Sequence, residues 1–296
     1  MIESLNKKYN TADIDYDFSI LIPTWNNLNY LKLCILSLQK NSATKIQIIV
    51  FINEGVDGTL EWIKTQKNID FIYSENNIGI CYGLNMCRSL VKSNYIIYLN
   101  DDMYVLPDWD ARLSQEIINL DSKLFMLSST MIEPYDTKNP CVVVKNYGDS
   151  IDNFNENLLL KEYSTFFKND WSGSTWPPNV VHVDLWDLVG GLSIEYSPGM
   201  YSDPDFAKKL YESGVRVFKG VGSSMVYHFG SKSTKRTKMN KGSDMFLKKW
   251  GITSNFFTRE ILNRGEIYKK LPDTRNTTFL ERMLNMLKLI KLLFFK

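Results

Sequence analysis

The sequence has few of the residues on which stapled or metal-clamped small folds depend. Its 296 residues include four cysteines, Cys34, Cys81, Cys87 and Cys141, with no CxxC spacing among them. Each lies in apolar surroundings, so they read as buried thiols of a reducing compartment rather than as a disulfide frame or a zinc site. A basic start followed by a long apolar run is missing from the opening residues MIESLNKKYNTADIDYDF, which leads us to expect neither a secretory signal nor an N-terminal anchor, and hence a cytoplasmic chain. An excess of one charge is missing too. A formal net charge of +2 gives no ground for a nucleic-acid partner, although it leaves room for a local basic patch. Internal repeats and low-complexity segments are also absent. The apolar and charged fractions are those of an ordinary globular protein, long enough for one large α/β domain with appendages or for two small domains.

What the chain does have is an alternation of short apolar runs with helical spacing. FSILIP (18–23) is a continuous apolar run, the pattern of a strand buried on both faces, and 29–39 follows with Leu31, Cys34, Ile35 and Leu38 on one helical face. Strands are then expected at 46–52, 70–73 and 95–99, with helices at 59–65 and 79–91 between them. Such alternation implies a mostly parallel sheet with right-handed crossovers, with ligands at the carboxyl ends of the strands. From Ser128 to Asp170 the alternation loosens into a polar stretch that gives no clear order, and edge strands are the expectation there. WSGSTWPPNVVHVDLWDLVGG follows, rich in tryptophan and turn signals, and then a helix, FAKKLYESG, and a strand, VRVFKG.

The residues just after the expected strands share one rim: Pro23-Thr24-Trp25-Asn26, Asn53-Glu54-Gly55, Glu75 to Gly79, and Asn100-Asp101-Asp102. Adjacent carboxylates about 4 Å apart repel by roughly 4 kcal/mol at an effective dielectric of about 20, so this rim needs a cation or water. A hard divalent ion, Mg²⁺ or Mn²⁺, suits oxygen ligands and would neutralise a leaving diphosphate. Because strand side chains alternate faces, only one of Asp101 and Asp102 meets the ion unless the chain turns at once.

In their order, SILIPTWNN, DGTLEW, ENNIGICYGLN, YLNDDMYVLPDW, VGG and SDPDFAKKLYESGVRVF resemble the family-two GT-A glycosyltransferases over roughly residues 18–230. The resemblance implies a GT-A, Rossmann-like α/β fold: a mostly parallel central sheet flanked by helices, with a C-terminal helical extension. It implies an inverting enzyme that moves a sugar from a nucleotide diphosphate donor, commonly UDP-linked, to a hydroxyl of a glycan or glycolipid acceptor, as in polysaccharide biosynthesis. Carried over by position, Pro23, Thr24, Trp25, Glu54, Asn77, Gly79 and Asp101 line the nucleotide, Glu54 reading the base. Asp102 is the principal ligand of Mn²⁺ or Mg²⁺, and His228 completes the metal site or else is structural. Asp203 matches the base that deprotonates the acceptor, and Asp205 the acid that supports its loop. The pattern departs from the family at Asn53-Glu54, where two aspartates are usual, and at Asn100, so that the metal motif reads NDD. Lys232, Lys235 and Arg236 stand in a basic loop that either folds over the diphosphate or is simply solvated. Trp171, Trp176 and Trp186 flank the acceptor region and are either sugar platforms or core. His182 has no motif behind it and reads as structural.

On this reading 1–17 is an N-terminal extension, 18–230 the transferase domain, 231–278 a basic loop and helical segment, and 279–296 an amphipathic basic helix. In that last helix Glu281, Asn285 and Lys288 face one way, and Leu280, Met283, Leu284, Leu287, Ile290 and Phe294 the other. It is too short and too charged to span a bilayer. It suits peripheral contact with an anionic membrane, as a lipid-linked acceptor requires, or else docking on its own domain or a second subunit. Two other classes compete with a transferase. A nucleotidyltransferase would carry a glycine-rich basic loop where this chain has PTWNNLNYL, and a non-catalytic carbohydrate-binding relative would tolerate loss of Asp102 or Asp203, both of which are present.

Overall fold

The computed structural model describes residues 5–9, 15–230, 240–273 and 278–294. The alternation predicted from the apolar runs is realised as β1 (Leu5–Lys8), β2 (Phe18–Trp25), α1 (Leu28–Asn41), β3 (Ile46–Asn53), α2 (Thr59–Thr65), β4 (Ile69–Ser74), α3 (Ile80–Cys87), β5 (Tyr95–Tyr98) and β6 (Met103–Val105). Beyond these come α4 (Trp109–Leu120), β7 (Phe125–Glu133), β8 (Val143–Val144), α5 (Glu156–Glu162), β9 (Trp171–Ser172), β10 (Asn179–His182) and α6 (Val183–Val189). The described chain finishes with α7 (Ser202–Glu212), β11 (Val217–His228), α8 (Gly242–Trp250), a short α9 (Ser254–Phe256) that runs on as a π-helical turn (Phe257–Ile261), and α10 (Phe279–Phe294).

One sheet carries the fold, in the order β1-β4-β3-β2-β5-β10-β7-β11-β6, with β8 beside β7 and β9 beside β11. Pairing is parallel through β4, β3, β2 and β5 and again between β7 and β11, and β10 lies antiparallel between the two parallel blocks. Alternate residues of a strand face opposite sides, so each strand feeds two cores. Ile20 and Ile22 pack with Leu31, Ile35 and Leu38 of α1 and Trp109 of α4. Leu21, Ile49 and Phe51 pack on the other side with Cys81 and Leu84 of α3, Phe206 of α7, Phe246 of α8 and Phe257. Gly242 to Leu271 therefore contributes to the same core as the sheet. All four cysteines are buried thiols, as expected.

The polar stretch after Ser128 does hold a short peripheral strand, β8, paired among the described residues only with β7, but it also conceals the second half of an interior strand. β7 sits between β10 and β11, and its hydroxyls are buried because each has a partner: Ser128 Oγ with Ser174 Oγ at 2.6 Å, Ser129 Oγ with Ser224 Oγ at 2.7 Å, and Thr130 Oγ1 donating to the Val221 carbonyl at 2.9 Å. A buried hydroxyl is tolerated once it is hydrogen-bonded, and only the fold supplies those partners. VRVFKG and VGSSMVY, which read as separate strand-like runs, belong to the single strand β11, irregular in register between Val221 and Met225. VVHVDLW divides instead, β10 ending at His182, whose Nδ1 accepts the Asp184 N–H at 3.0 Å at the start of α6; His182 is structural.

Trp171 and Trp186 are core residues. Trp171 donates through Nε1 to Thr130 Oγ1 at 2.8 Å, and its indole lies against Gly220, where an added Cβ would stand 1.8 Å from Trp171 Cε2. Trp186 packs on Phe206 with ring centroids 5.2 Å apart. Gly220→Ala should therefore overpack the core by about 1–3 kcal/mol and lower the melting temperature by about 2–10 °C, measured by circular dichroism. An unchanged melting temperature would show that Trp171 does not pack there.

Candidate active site

A cleft of about 660 Å³ opens where β2, β3 and β5 end. Pro23, Thr24, Trp25, Asn77, Gly79, Asp101, Asp102, Asp203, His228 and Trp176, all singled out from the sequence, line it, and so do Tyr98, Glu133 and Arg264. The chain turns at once after β5, at Asp101 and Asp102, before β6 starts at Met103, so both carboxylates reach the cleft. Asp101 accepts a hydrogen bond from Thr24 Oγ1 at 2.7 Å, which ties it to the end of β2.

Sheet register decides the surroundings of Asp102. β11 pairs antiparallel with β6, setting His228 opposite Met103, and parallel with β7, setting Tyr227 beside Ile132. His228 thereby lies between two carboxylates, with Nε2 3.5 Å from Asp102 Oδ1 and Nδ1 2.8 Å from Glu133 Oε1. Burial by itself pushes the imidazole's pKa down; Asp102 first and Glu133 second outweigh it and hold the group protonated, pushed up to about 10. Glu133 had no sequence motif, because it ends β7 inside the polar stretch that concealed that strand. Its carboxylate on the far imidazole nitrogen is the arrangement that orients a metal-binding histidine.

Asp203 stands at the start of α7, reachable from the cleft yet deep in its wall, and burial raises its pKa to about 7. Asp205 points elsewhere. It accepts from Trp250 Nε1 at 2.8 Å and Ser193 Oγ at 2.6 Å and pairs with Lys249 at 3.0 Å, so it anchors α7 to α8 outside the cleft. Asn77 Oδ1 takes the Gly79 N–H at 2.9 Å in a side-chain turn, and Asn53 Oδ1 takes the Ile78 N–H at 3.0 Å. Gly79 has φ +78°, and a Cβ there would meet Ser197 Oγ at 2.2 Å and the Pro198 Cα at 2.8 Å. The close approach that demands glycine is thus to the protein's own Ser197 side chain and Pro198 backbone. Glu54 lies just beyond the lining, its Oε2 taking donors from Trp25 Nε1 at 2.7 Å and Asn26 Nδ2 at 3.1 Å. Lys232, Lys235 and Arg236 lie outside the described residues.

No cluster of three or more His, Cys, Asp and Glu side chains suited to a metal occurs among the described residues. Asp102 and His228 nevertheless fit a divalent ion that takes its remaining ligands from substrate phosphates, the usual habit of Mg²⁺. Without an ion the imidazolium of His228 sits between its two carboxylates, so the position favours positive charge, and an ion bound there would take the place of the Nε2 proton.

The model of glycosyl transferase family 2 matches residues 19–168. Chondroitin synthase of Pasteurella multocida is 29% identical over 122 residues, 40% of this chain and 12% of that protein. Glycosyltransferase GlyA of Streptococcus pneumoniae is 23% identical over 114 residues, 38% of this chain and 16% of that protein. The matched segment is thus a small part of each of these relatives. Staphylococcus aureus TarS 1-349 in complex with UDP-GlcNAc superposes with a TM-score of 0.57 at 14% identity, over 93% of this chain and 72% of that one. The mannosyltransferase PcManGT of Pyrobaculum calidifontis, in complex with GDP-Man and Mn²⁺, gives 0.52 at 15% identity, over 77% and 62%. At these identities the likeness to solved structures concerns the fold.

Proposed function

This chain belongs to glycosyl transferase family 2, and from that premise we propose that it is an inverting, metal-dependent transferase that moves a sugar from a UDP-linked donor to a hydroxyl of a glycan or lipid-linked acceptor. The observation that carries the reading is the placement of the Asp102–His228–Glu133 row and of Asp203 in one cleft. Thr24, Trp25, Asn77 and Asp101 at the strand ends would hold the nucleoside, with Glu54 behind Trp25 at the base. Solved relatives bound to UDP-GlcNAc and to GDP-Man with Mn²⁺ support a nucleotide-sugar donor and a divalent ion. Asp102 and His228 would hold Mn²⁺ or Mg²⁺, which supplies positive charge to the departing diphosphate.

Asp203 takes the proton of the acceptor hydroxyl as its oxygen attacks the anomeric carbon. The bond from that carbon to the diphosphate oxygen breaks in line, and the nucleoside diphosphate leaves with the electron pair. A carboxylate with its pKa near neutrality is matched to this work better than an ordinary aspartate, whose low pKa makes it a feeble base. A nucleotide-sugar hydrolysis screen tests the reading: turnover is expected with Mn²⁺ and not without it, and metal-independent turnover would overturn it.

The acceptor side involves α10. No helix of the described residues is long and apolar enough to cross a membrane. α10 turns its polar position Asn285 inward, where Oδ1 accepts the Thr253 N–H at 3.3 Å, while Leu280, Leu284, Leu287, Ile290, Leu293 and Phe294 are exposed. An exposed apolar stripe flanked by Arg282, Lys288 and Lys291 supports contact with an anionic bilayer over docking on its own domain. Leu284→Glu with Leu287→Glu is expected to reduce co-sedimentation with anionic liposomes about tenfold, the two residues being exposed enough for the fold to survive. Unchanged partition would reject the membrane role.

A further inference from the structure

Arg264 is the single lysine or arginine lining the cleft among the described residues. Its guanidinium carbon lies 5.2 Å from the ring centroid of Trp176, the one tryptophan of the three candidates that faces the cleft. The side chain makes no ion pair among the described residues, and its buried Nε has no hydrogen-bond partner there. Leaving a buried donor unmet is costly, and native structures rarely do so without a reason. Burial also disfavours the guanidinium charge, opposed in part by Cys141, with Arg259 adding a smaller repulsion.

The position is built rather than accidental. The Arg264 N–H donates to the Thr258 carbonyl at 3.1 Å, and the next residue, Gly265, donates to the Ser172 carbonyl at 2.9 Å, which pins the loop to β9. Gly173, at φ +92°, lets the Arg264 backbone approach: a Cβ there would lie 2.6 Å from the Arg264 Cα. Pro23, Thr24, Trp25 and Asn77, which the proposed function gives to the nucleotide, come from the first half of the chain, whereas Arg264, Trp176 and Thr258, lining the same cleft, come from the second. Aromatic faces suit sugar rings, and a guanidinium stacked on one keeps its donor edge free for an oxyanion.

We propose that Arg264 and Trp176 form an acceptor subsite for an anionic glycan, Trp176 taking the sugar ring and Arg264 a carboxylate or phosphate on that sugar or its neighbour. The proposal rests on the glycosyl-transfer reading and adds the charge class of the acceptor. Arg–carboxylate and Arg–phosphate contacts are directional and frequently paired, so they discriminate against a neutral analogue.

The test uses the full chain, with calorimetric binding of three probes: a glucuronate-containing tetrasaccharide, the same tetrasaccharide with its carboxyls reduced, and a glycerol-phosphate oligomer. Wild type is expected to bind one of the anionic probes about tenfold or more tightly than the reduced probe. Arg264→Gln should remove that preference while leaving affinity for the reduced probe and for UDP with Mn²⁺ unchanged, and Arg264→Lys should restore part of it. Which anionic probe binds distinguishes carboxylate from phosphate. Equal affinities in wild type, no binding of either anionic probe, or a preference that survives in Arg264→Gln overturns the subsite. A loss of UDP affinity in Arg264→Gln would assign the arginine to the donor and overturn it too. Failure of wild type to bind UDP with Mn²⁺ would instead strike the glycosyl-transfer reading, separately from the probe preference.

Discussion

With Asp102 changed to asparagine, turnover of a nucleotide-sugar donor is expected to fall about 10²–10³-fold and to lose its response to added Mn²⁺. The substitution keeps the shape of the side chain and removes its charge, so what it tests is the electrostatic demand of a departing diphosphate. The backbone bond at this position, from the Phe229 N–H to the Asp102 carbonyl at 3.1 Å, does not involve the side chain, and the β6–β11 pairing should persist. A second readout separates loss of a ligand from loss of fold. Asp102 is the main charge that raises the His228 pKa against burial, so in the metal-free variant the imidazole should titrate below its wild-type value of about 10, followed by NMR. A variant as active as wild type, with the same metal dependence, would sink the assignment of Asp102 as a ligand.

Asp203→Asn should lower kcat about 10²–10⁴-fold with donor affinity unchanged. Burial raises the Asp203 pKa to about 7, which sets the sign of the pH dependence. Above that value the carboxyl is ionised and accepts the acceptor's proton; below it the proton is already in place. Wild-type kcat/KM is therefore expected to rise about tenfold per pH unit up to about 7 and then to level, whereas the residual activity of the variant should lack that limb. The cost to the fold should be small, because asparagine at the first turn of α7 gives up only a helix-end charge interaction of about 0.3–1 kcal/mol. A flat wild-type profile between about pH 5 and pH 8, or full activity in the variant, would remove Asp203 from the role of base.

The residues at the strand ends were legible because chemistry and topology coincide there. In an open parallel sheet the loops after the strands share a rim, so the strand pattern alone groups Thr24, Asn77, Asp101 and Asp102. Asp203 came from the likeness of SDPDF to the family motif. The same likeness gave Asp203 the role of base and Asp205 that of support for its loop, but nothing local names the partners of the second, Trp250, Ser193 and Lys249. Nor could it rank the tryptophans: Trp171 and Trp186 face packed side chains and Trp176 faces the cleft, a matter of which neighbour each meets.

By itself the sequence determined the periodicities, and through them the parallel sheet, its two buried faces and the acidic rim at one end. Those follow from local alternation of apolar and polar side chains, which each segment carries within itself. Tertiary structure alone decided that the polar run SSTMIE forms an interior strand, that Glu133 at its end meets His228, and that Arg264 lines the cleft with its Nε unmet by any hydrogen-bond partner among the described residues. The physical reason is common to all three. A buried polar group is stable or strained according to what lies opposite it, and the opposite residue is supplied by register and packing between segments far apart in the chain.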